Sequence, residues 1–259
     1  MRKIVVILVL AALVAGCESV GRKEYLVTNT PEEQKLLSTD EEYRFGHLVD
    51  AYVQNQYMVL QNFQYETQIQ AIFDEVVSHS DRKNLNYTLR ILNSNEANAF
   101  AGPGGYVYIT TGLLDTIENK DELACVLAHE VSHVCARHSI KQFNLVETAK
   151  AGIVILAVGA AILAEDPDVM SPASDLGATL AQICIQGYSR SDELQADSLA
   201  VKYTQRSGFN SLALIDLLHR LEREQEEKTG EKPVYTLLSS HPPPAIREEN
   251  IRKQLAFIQ

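Results

Sequence analysis

Ala128-His129-Glu130-Val131-Ser132-His133 is the stretch from which the rest of this sequence is read. Two histidines stand four residues apart, with a glutamate directly after the first. The residues before them, Glu122-Leu123-Ala124-Cys125-Val126-Leu127, hold neither Gly nor Pro and favour a helix. Four helical residues turn through about 400°, so His129 and His133 share one face about 6 Å apart along the axis. Two imidazoles so placed converge on one zinc ion, and Glu130 reaches a water beside the metal without ligating it.

The motif needs a third ligand. A candidate lies downstream in Tyr188-Ser189-Arg190-Ser191-Asp192-Glu193-Leu194-Gln195-Ala196-Asp197. Glu193 and Asp197 are also four apart and share a helical face. Two histidines plus one carboxylate, with the fourth position open, make a catalytic zinc set. Asp197 is placed to accept a hydrogen bond from a ligating histidine and fix its tautomer. Taken by itself, the same stretch also reads as a solvated acidic helix face.

Further out, the composition bounds the function. The 259 residues carry 23 Lys plus Arg against 34 Asp plus Glu, a net charge of −11, and 46% are hydrophobic. Such a chain buries a sizeable core, and its acidity argues against a nucleic-acid partner. Four cysteines are too few for a disulfide scaffold. Cys125 and Cys135, ten apart on one helix, cannot bond to each other. With Cys184 they read as small buried hydrophobes.

Residues 1–17, MRKIVVILVLAALVAGC, pair a basic start with an apolar run of signal-peptide length and small residues before Cys17. This resembles the lipobox of bacterial lipoproteins. The resemblance implies cleavage after residue 16, acylation of Cys17, and a soluble acidic body tethered to a membrane by acyl chains. Glu18, where Asp would imply retention at the inner membrane, implies the periplasmic face of the outer membrane. The domain expectation is therefore a signal peptide over 1–16, a lipidated tether over 17–30, and a single catalytic domain over 31–259.

Ser38-Thr39-Asp40-Glu41 fits a capping box that opens a helix running to about residue 60. Helices are expected over 67–79, around Leu113, and over 119–139, 176–187, 192–207, 210–228 and 244–257. Strands are expected over 85–92 and 106–111, with 95–105 and 165–175 as turn-rich segments. Residues 151–164 are apolar and uncharged but shorter than the roughly 20 residues of a spanning helix, and read as a buried or membrane-facing helix. The fold class is α+β and mainly helical, with a small antiparallel sheet.

Several motifs in order resemble the HtpX and CAAX-prenyl-protease type of zinc endopeptidase, metallopeptidase family forty-eight. They are Asn98-Ala99-Phe100-Ala101 with Pro103-Gly104-Gly105, Thr111-Gly112-Leu113-Leu114, and His129-Glu130 with His133 continuing to Arg137-His138. Ser189-Arg190 with Glu193 and Ala196-Asp197, and Ser240-His241-Pro242, complete the set. The multi-span membrane helices of the HtpX and prenyl-protease branches are missing, so the likeness is to the small bacterial lipoprotein branch, called LoiP-like. It implies a zincin-like (gluzincin) fold and one zinc ion held by His129, His133 and Glu193. It further implies Glu130 as catalytic base, Asp197 as a supporting acidic residue, and the strand Tyr106, Val107, Tyr108, Ile109 and Thr110 along the cleft. That strand is expected to hold an extended peptide by main-chain pairing.

The expected function is a lipid-anchored zinc metalloendopeptidase acting on unfolded or misfolded envelope proteins in quality control. The competing reading is a zinc-stabilised, chaperone-like binding module without proteolysis. A third is a structural lipoprotein with a coincidental motif. His138, about half a turn from His129, reads as structural. His241 sits among prolines and reads as a surface histidine, a lid over the zinc or a transient fourth ligand. His47, His79 and His219 show no ligand spacing.

Overall fold

The computed structural model describes residues 39–61, 64–143, 170–229, 241 and 244–258. Asp40, Glu41 and Glu42 fill the first turn of helix α1 (Thr39–Gln56), where negative charge suits the helix dipole. A two-residue strand β1 (Val59–Leu60) leads to α2 (Glu66–Ser78), which buries Ile69, Phe73 and Val76 on one stripe. Then come β2 (Thr88–Leu92), β3 (Ala99–Ala101), a 3-10 turn over Pro103–Gly105, and β4 (Tyr106–Thr110). Gly104 (φ 72°) and Gly105 (φ 95°) hold a left-handed backbone in that turn. A Cβ on Gly105 would stand 2.7 Å from the Asn86 carbonyl oxygen.

Helices complete the order: α3 (Thr111–Leu114), α4 (Lys120–Ala136), α5 (Met170–Gln186), α6 (Arg190–Arg206), α7 (Ala213–Thr229) and α8 (Pro244–Ile258). The helix expected to reach residue 60 ends at Gln56, and α5 starts at Met170, inside the segment read as a loop. The cap at Ser38, the lipobox with Cys17, and residues 151–164 lie outside the described residues. Among those described, no helix is long and apolar enough to cross a membrane.

The four-stranded sheet has the order β1-β2-β4-β3 and is mixed rather than antiparallel: β2 and β4 run parallel, and the two outer pairs are antiparallel. The difference comes from β3, which falls in the stretch expected to be all turn. Three residues, two of them alanine, carry almost no strand signal. After β2 the chain crosses to the far edge, forms β3, and returns through the glycine turn. That return inserts β4 between β2 and β3. β4 therefore sends Val107 and Ile109 into one core beside α4, and Tyr106 and Tyr108 into a second beside α1 and α5. Burial on both faces explains its unbroken aromatic and β-branched run.

Helix α4 is buried from Glu122 to Ala136 and packs against α2, α6 and α7. Asn119 caps it, its side-chain oxygen accepting from the Asp121 and Glu122 amides at 3.0 Å each. It stops at Ala136, three residues before the expected end, because Arg137 turns left-handed (φ 57°). The Arg137 guanidinium meets buried Glu42 at 3.0 Å, and Arg82 grips the same carboxylate with two hydrogen bonds of 2.9 and 3.0 Å. This charge cluster ties α1 to the end of α4.

Candidate metal centre

Helices α4 and α6 lie against each other and bring the two sequence motifs together. His129 Nε2 and His133 Nε2 face each other at 3.0 Å. Glu193 places Oε2 3.3 Å from His129 Nε2 and Oε1 3.7 Å from His133 Nε2. Glu193 and Asp197 are both 0% exposed, so this is no solvated acidic face. One ligand atom each from His129, His133, Glu193 and His241 lie within 4.8 Å of one another.

Zinc fits this set. Tetrahedral ligands at 2.0–2.3 Å from a metal stand roughly 3.3–3.7 Å apart, the spacing seen between the imidazole nitrogens and the carboxylate. Glu193 Oε1 is buried without a hydrogen-bond partner, and two ring nitrogens point at one another. A shared cation satisfies all three atoms.

The ligands are held from behind. Asp197 Oδ1 stands 2.9 Å from His129 Nδ1, which leaves Nε2 for the metal. Arg247, from α8, clamps Asp197 through Nε (3.0 Å to Oδ2) and Nη2 (2.7 Å to Oδ1). Asp197 is therefore a positioning residue and does not reach the metal. Burial works against its charge, yet Arg247 and then His129 hold its carboxyl below the ordinary value. Burial and Arg247 also oppose a charged His129, but Asp197 and Glu193 prevail and raise it to about 9. Burial pushes His133 well below its usual value, so that ring is neutral.

His138 is not across the helix from the metal. The break at Arg137 swings it back, and its Nδ1 lies 2.8 Å from His133 Nδ1 while its Nε2 meets Gln195 Oε1 at 3.0 Å. It orients His133 without ligating. His241 is not a surface residue: it is 9% exposed, its Nδ1 contacts Glu193 Oε2, and its ring stands edge-on to His129 at 5.0 Å.

Glu130 is 1% exposed, and its Oε1 has no hydrogen-bond partner among the described residues. Burial raises its carboxyl above the ordinary value, opposed by His129 and His241 and aided by Glu193. A buried, raised carboxyl beside the ligands, with one oxygen free of hydrogen bonds among the described residues, suits a group that takes and returns a proton.

The strand expected to pair with substrate cannot do so. Tyr106, Val107, Tyr108, Ile109 and Thr110 are all buried, and β4 is paired on both sides. The outer strand on this side is β3, and the sheet contact of α4 includes it. Two residues beyond the sequence expectations belong to the site. Arg247 had no signal, being one basic residue among Glu248, Glu249 and Arg252. Tyr188 precedes the Ser189 cap of α6 and stacks on His133 with ring centroids 4.5 Å apart.

Comparison with known proteins agrees with this geometry. Residues 64–255 match the model of peptidase family M48. The beta-barrel assembly-enhancing protease of Yersinia pestis is 29% identical over 188 residues, covering 72% of this chain and 38% of that protein. Metalloprotease YcaL of Escherichia coli (strain K12) is 27% identical over 168 residues, covering 64% of this chain and 61% of YcaL. The mitochondrial metalloendopeptidase OMA1 of Schizosaccharomyces pombe is 26% identical over 196 residues, covering 74% and 53%. The chain spans less than half the length of the beta-barrel assembly-enhancing proteases that it matches.

Proposed function

Since the chain belongs to peptidase family M48, a family of zinc metallopeptidases, we propose that it is an endopeptidase of the bacterial envelope that hydrolyses unfolded or misfolded proteins. The single observation that carries this reading is the convergence of His129, His133 and Glu193 beside buried Glu130, whose Oε1 has no hydrogen-bond partner among the described residues. A zinc site built only for structure has no use for a buried carboxyl beside its ligands. The binding-module reading leaves Glu130 unexplained.

When bound, zinc supplies Lewis acidity that polarises the scissile carbonyl and makes a water acidic. Every other part belongs to the chain. His129 and His133 offer Nε2, and Glu193 offers its carboxylate. Asp197 and Arg247 keep His129 in one tautomer, and His138 holds the His133 ring. Glu130 takes a proton from the attacking water and returns it to the leaving amine. Its raised carboxyl favours the first of these steps, taking the proton. An extended peptide runs along the outer edge of β3, where main-chain pairing gives affinity with little choice of side chain.

The substrate class takes support from relatives named beta-barrel assembly-enhancing proteases. Attachment takes support from the lipobox: Cys17 is acylated after signal cleavage and tethers the body to the periplasmic face of the outer membrane. Cys17→Ser should release the protein into the soluble periplasmic fraction, and full membrane retention would refute the anchor. For the chemistry, casein digestion by the wild type should stop with a chelator. Glu130→Gln should keep zinc and fold while hydrolysis falls at least about 10²-fold. Equal cleavage by Glu130→Gln would sink the mechanism.

A further inference from the structure

Among the described residues, one side chain bonds to the outer edge of β3. The ladder between β3 and β4 runs through alternate residues: the Thr110 amide donates to the Asn98 carbonyl (3.0 Å), and the Gly102 amide donates to the Tyr106 carbonyl (2.8 Å). Ala99 and Ala101 therefore turn their N–H and C=O groups to the open side, away from β4. These are the groups an added strand would use. Yet Ala99, Phe100 and Ala101 are only 1%, 3% and 1% exposed. The Tyr188 hydroxyl donates to the Ala101 carbonyl oxygen at 3.0 Å.

The same Tyr188 ring lies on His133, with planes 27° apart. One residue thus spans a zinc ligand and the edge strand. It sits on a short joint between α5, which ends at Gln186, and α6, which begins at Arg190. Gly187 within that joint has φ 86°, a conformation open to glycine and poorly tolerated by other residues.

We propose that Tyr188 is the gate and a specificity residue of the peptide-binding edge: its hydroxyl occupies the Ala101 carbonyl that a substrate main-chain N–H must take. This rests on the reading of the chain as an endopeptidase that pairs substrate along β3. An incoming segment displaces the hydroxyl only by supplying its own free amide there. A strand inside a folded protein has that amide already bonded and cannot. Proline at the matching position cannot either. The gate thereby selects extended, unpaired chain, which is the chemistry of an unfolded protein.

The test is peptide affinity in a zinc-loaded Glu130→Gln background, which binds without cutting. A short unstructured casein-derived peptide with a fluorescent label is the probe, compared between Tyr188 and Tyr188→Phe. Phe keeps the ring on His133 and removes only the competing hydroxyl. Affinity should rise about fivefold, the net worth of one hydrogen bond. The gain should vanish when one particular peptide amide is N-methylated, and persist for methylation at neighbouring amides. Tyr188→Leu, as a second variant, should show the same methylation dependence while weakening zinc, because the stack on His133 is lost.

Equal or weaker peptide binding by Tyr188→Phe overturns the gate. So does a gain indifferent to N-methylation at every amide, or loss of zinc from Tyr188→Phe. Cleavage of the unmethylated peptide by the wild type separates the two claims. No cleavage overturns the endopeptidase reading and the gate with it. Cleavage together with unchanged affinity in Tyr188→Phe overturns the gate alone.

Discussion

Arg247 and Asp197 form the pair on which the His129 ligand depends. Both are buried, at 1% and 0% exposure, and each is the other's main counter-charge. Removing one partner strands a buried charge, which costs about 3–5 kcal/mol. Arg247→Ala should lower unfolding free energy by that amount in denaturant titration. Asp197→Ala should in addition weaken zinc about 10–100-fold, because His129 loses the acceptor that sets its tautomer. Full zinc affinity in Asp197→Ala would remove Asp197 from the ligand support. His241 makes the opposite case. With His129, His133 and Glu193 it forms a four-ligand set, whereas a catalytic zinc keeps one position open. His241→Ala should retain zinc and raise kcat/KM on casein, as measured by initial rates with zinc content determined alongside. Loss of zinc in that variant would make His241 a required ligand.

At the scale of elements, the short β3 strand and the long α4 helix divide the work. Helix α4 sets the spacing of His129 and His133, and β3 offers the only outer edge near them among the described strands. Proline scanning should separate an edge strand from an inner one. Ala99 points its amide away from β4, so Ala99→Pro should leave zinc bound while lowering peptide affinity. Tyr108 lies inside the sheet, so Tyr108→Pro should lower the melting temperature sharply and take zinc with it. The paired measurement is thermal unfolding and zinc content beside peptide binding. Similar unfolding of both variants would contradict the placement of the open edge at β3.

At the scale of the whole molecule, the two cores on either side of the sheet enclose the thiols. Cys125, Cys135 and Cys184 are unpaired and buried. Burial raises Cys125 and Cys184 from 9.0 to about 12. The folded state binds these protons more tightly than the unfolded state. Their linkage contribution is therefore complete below pH about 9 and is lost as pH rises towards about 12. Since alkylation needs the thiolate, native protein at pH 8 should resist iodoacetamide at Cys125 and Cys184, and unfolded protein should react. Peptide mapping reads the outcome, and rapid native labelling at either site would contradict its place in the core.

The sequence alone determined the features that local spacing dictates. His129 and His133 stand four apart, as do Glu193 and Asp197, and helical geometry puts each pair on one face whatever the rest of the chain does. The apolar stripes of the helices, such as Ile69, Phe73 and Val76 on α2, are local in the same sense. Tertiary structure decided everything that depends on which elements meet. The identity of β3 as edge and β4 as inner strand depends on the order in which strands pair, which a three-residue alanine-rich segment does not announce. His241 joins the ligands only because it meets Glu193 on α6, and Arg247 reaches Asp197 only because α8 packs there. Tyr188 becomes a gate through two contacts, one with His133 on α4 and one with Ala101 on β3, from residues 55 and 87 positions away along the chain. Periodicity reports a face, and only packing reports what that face touches.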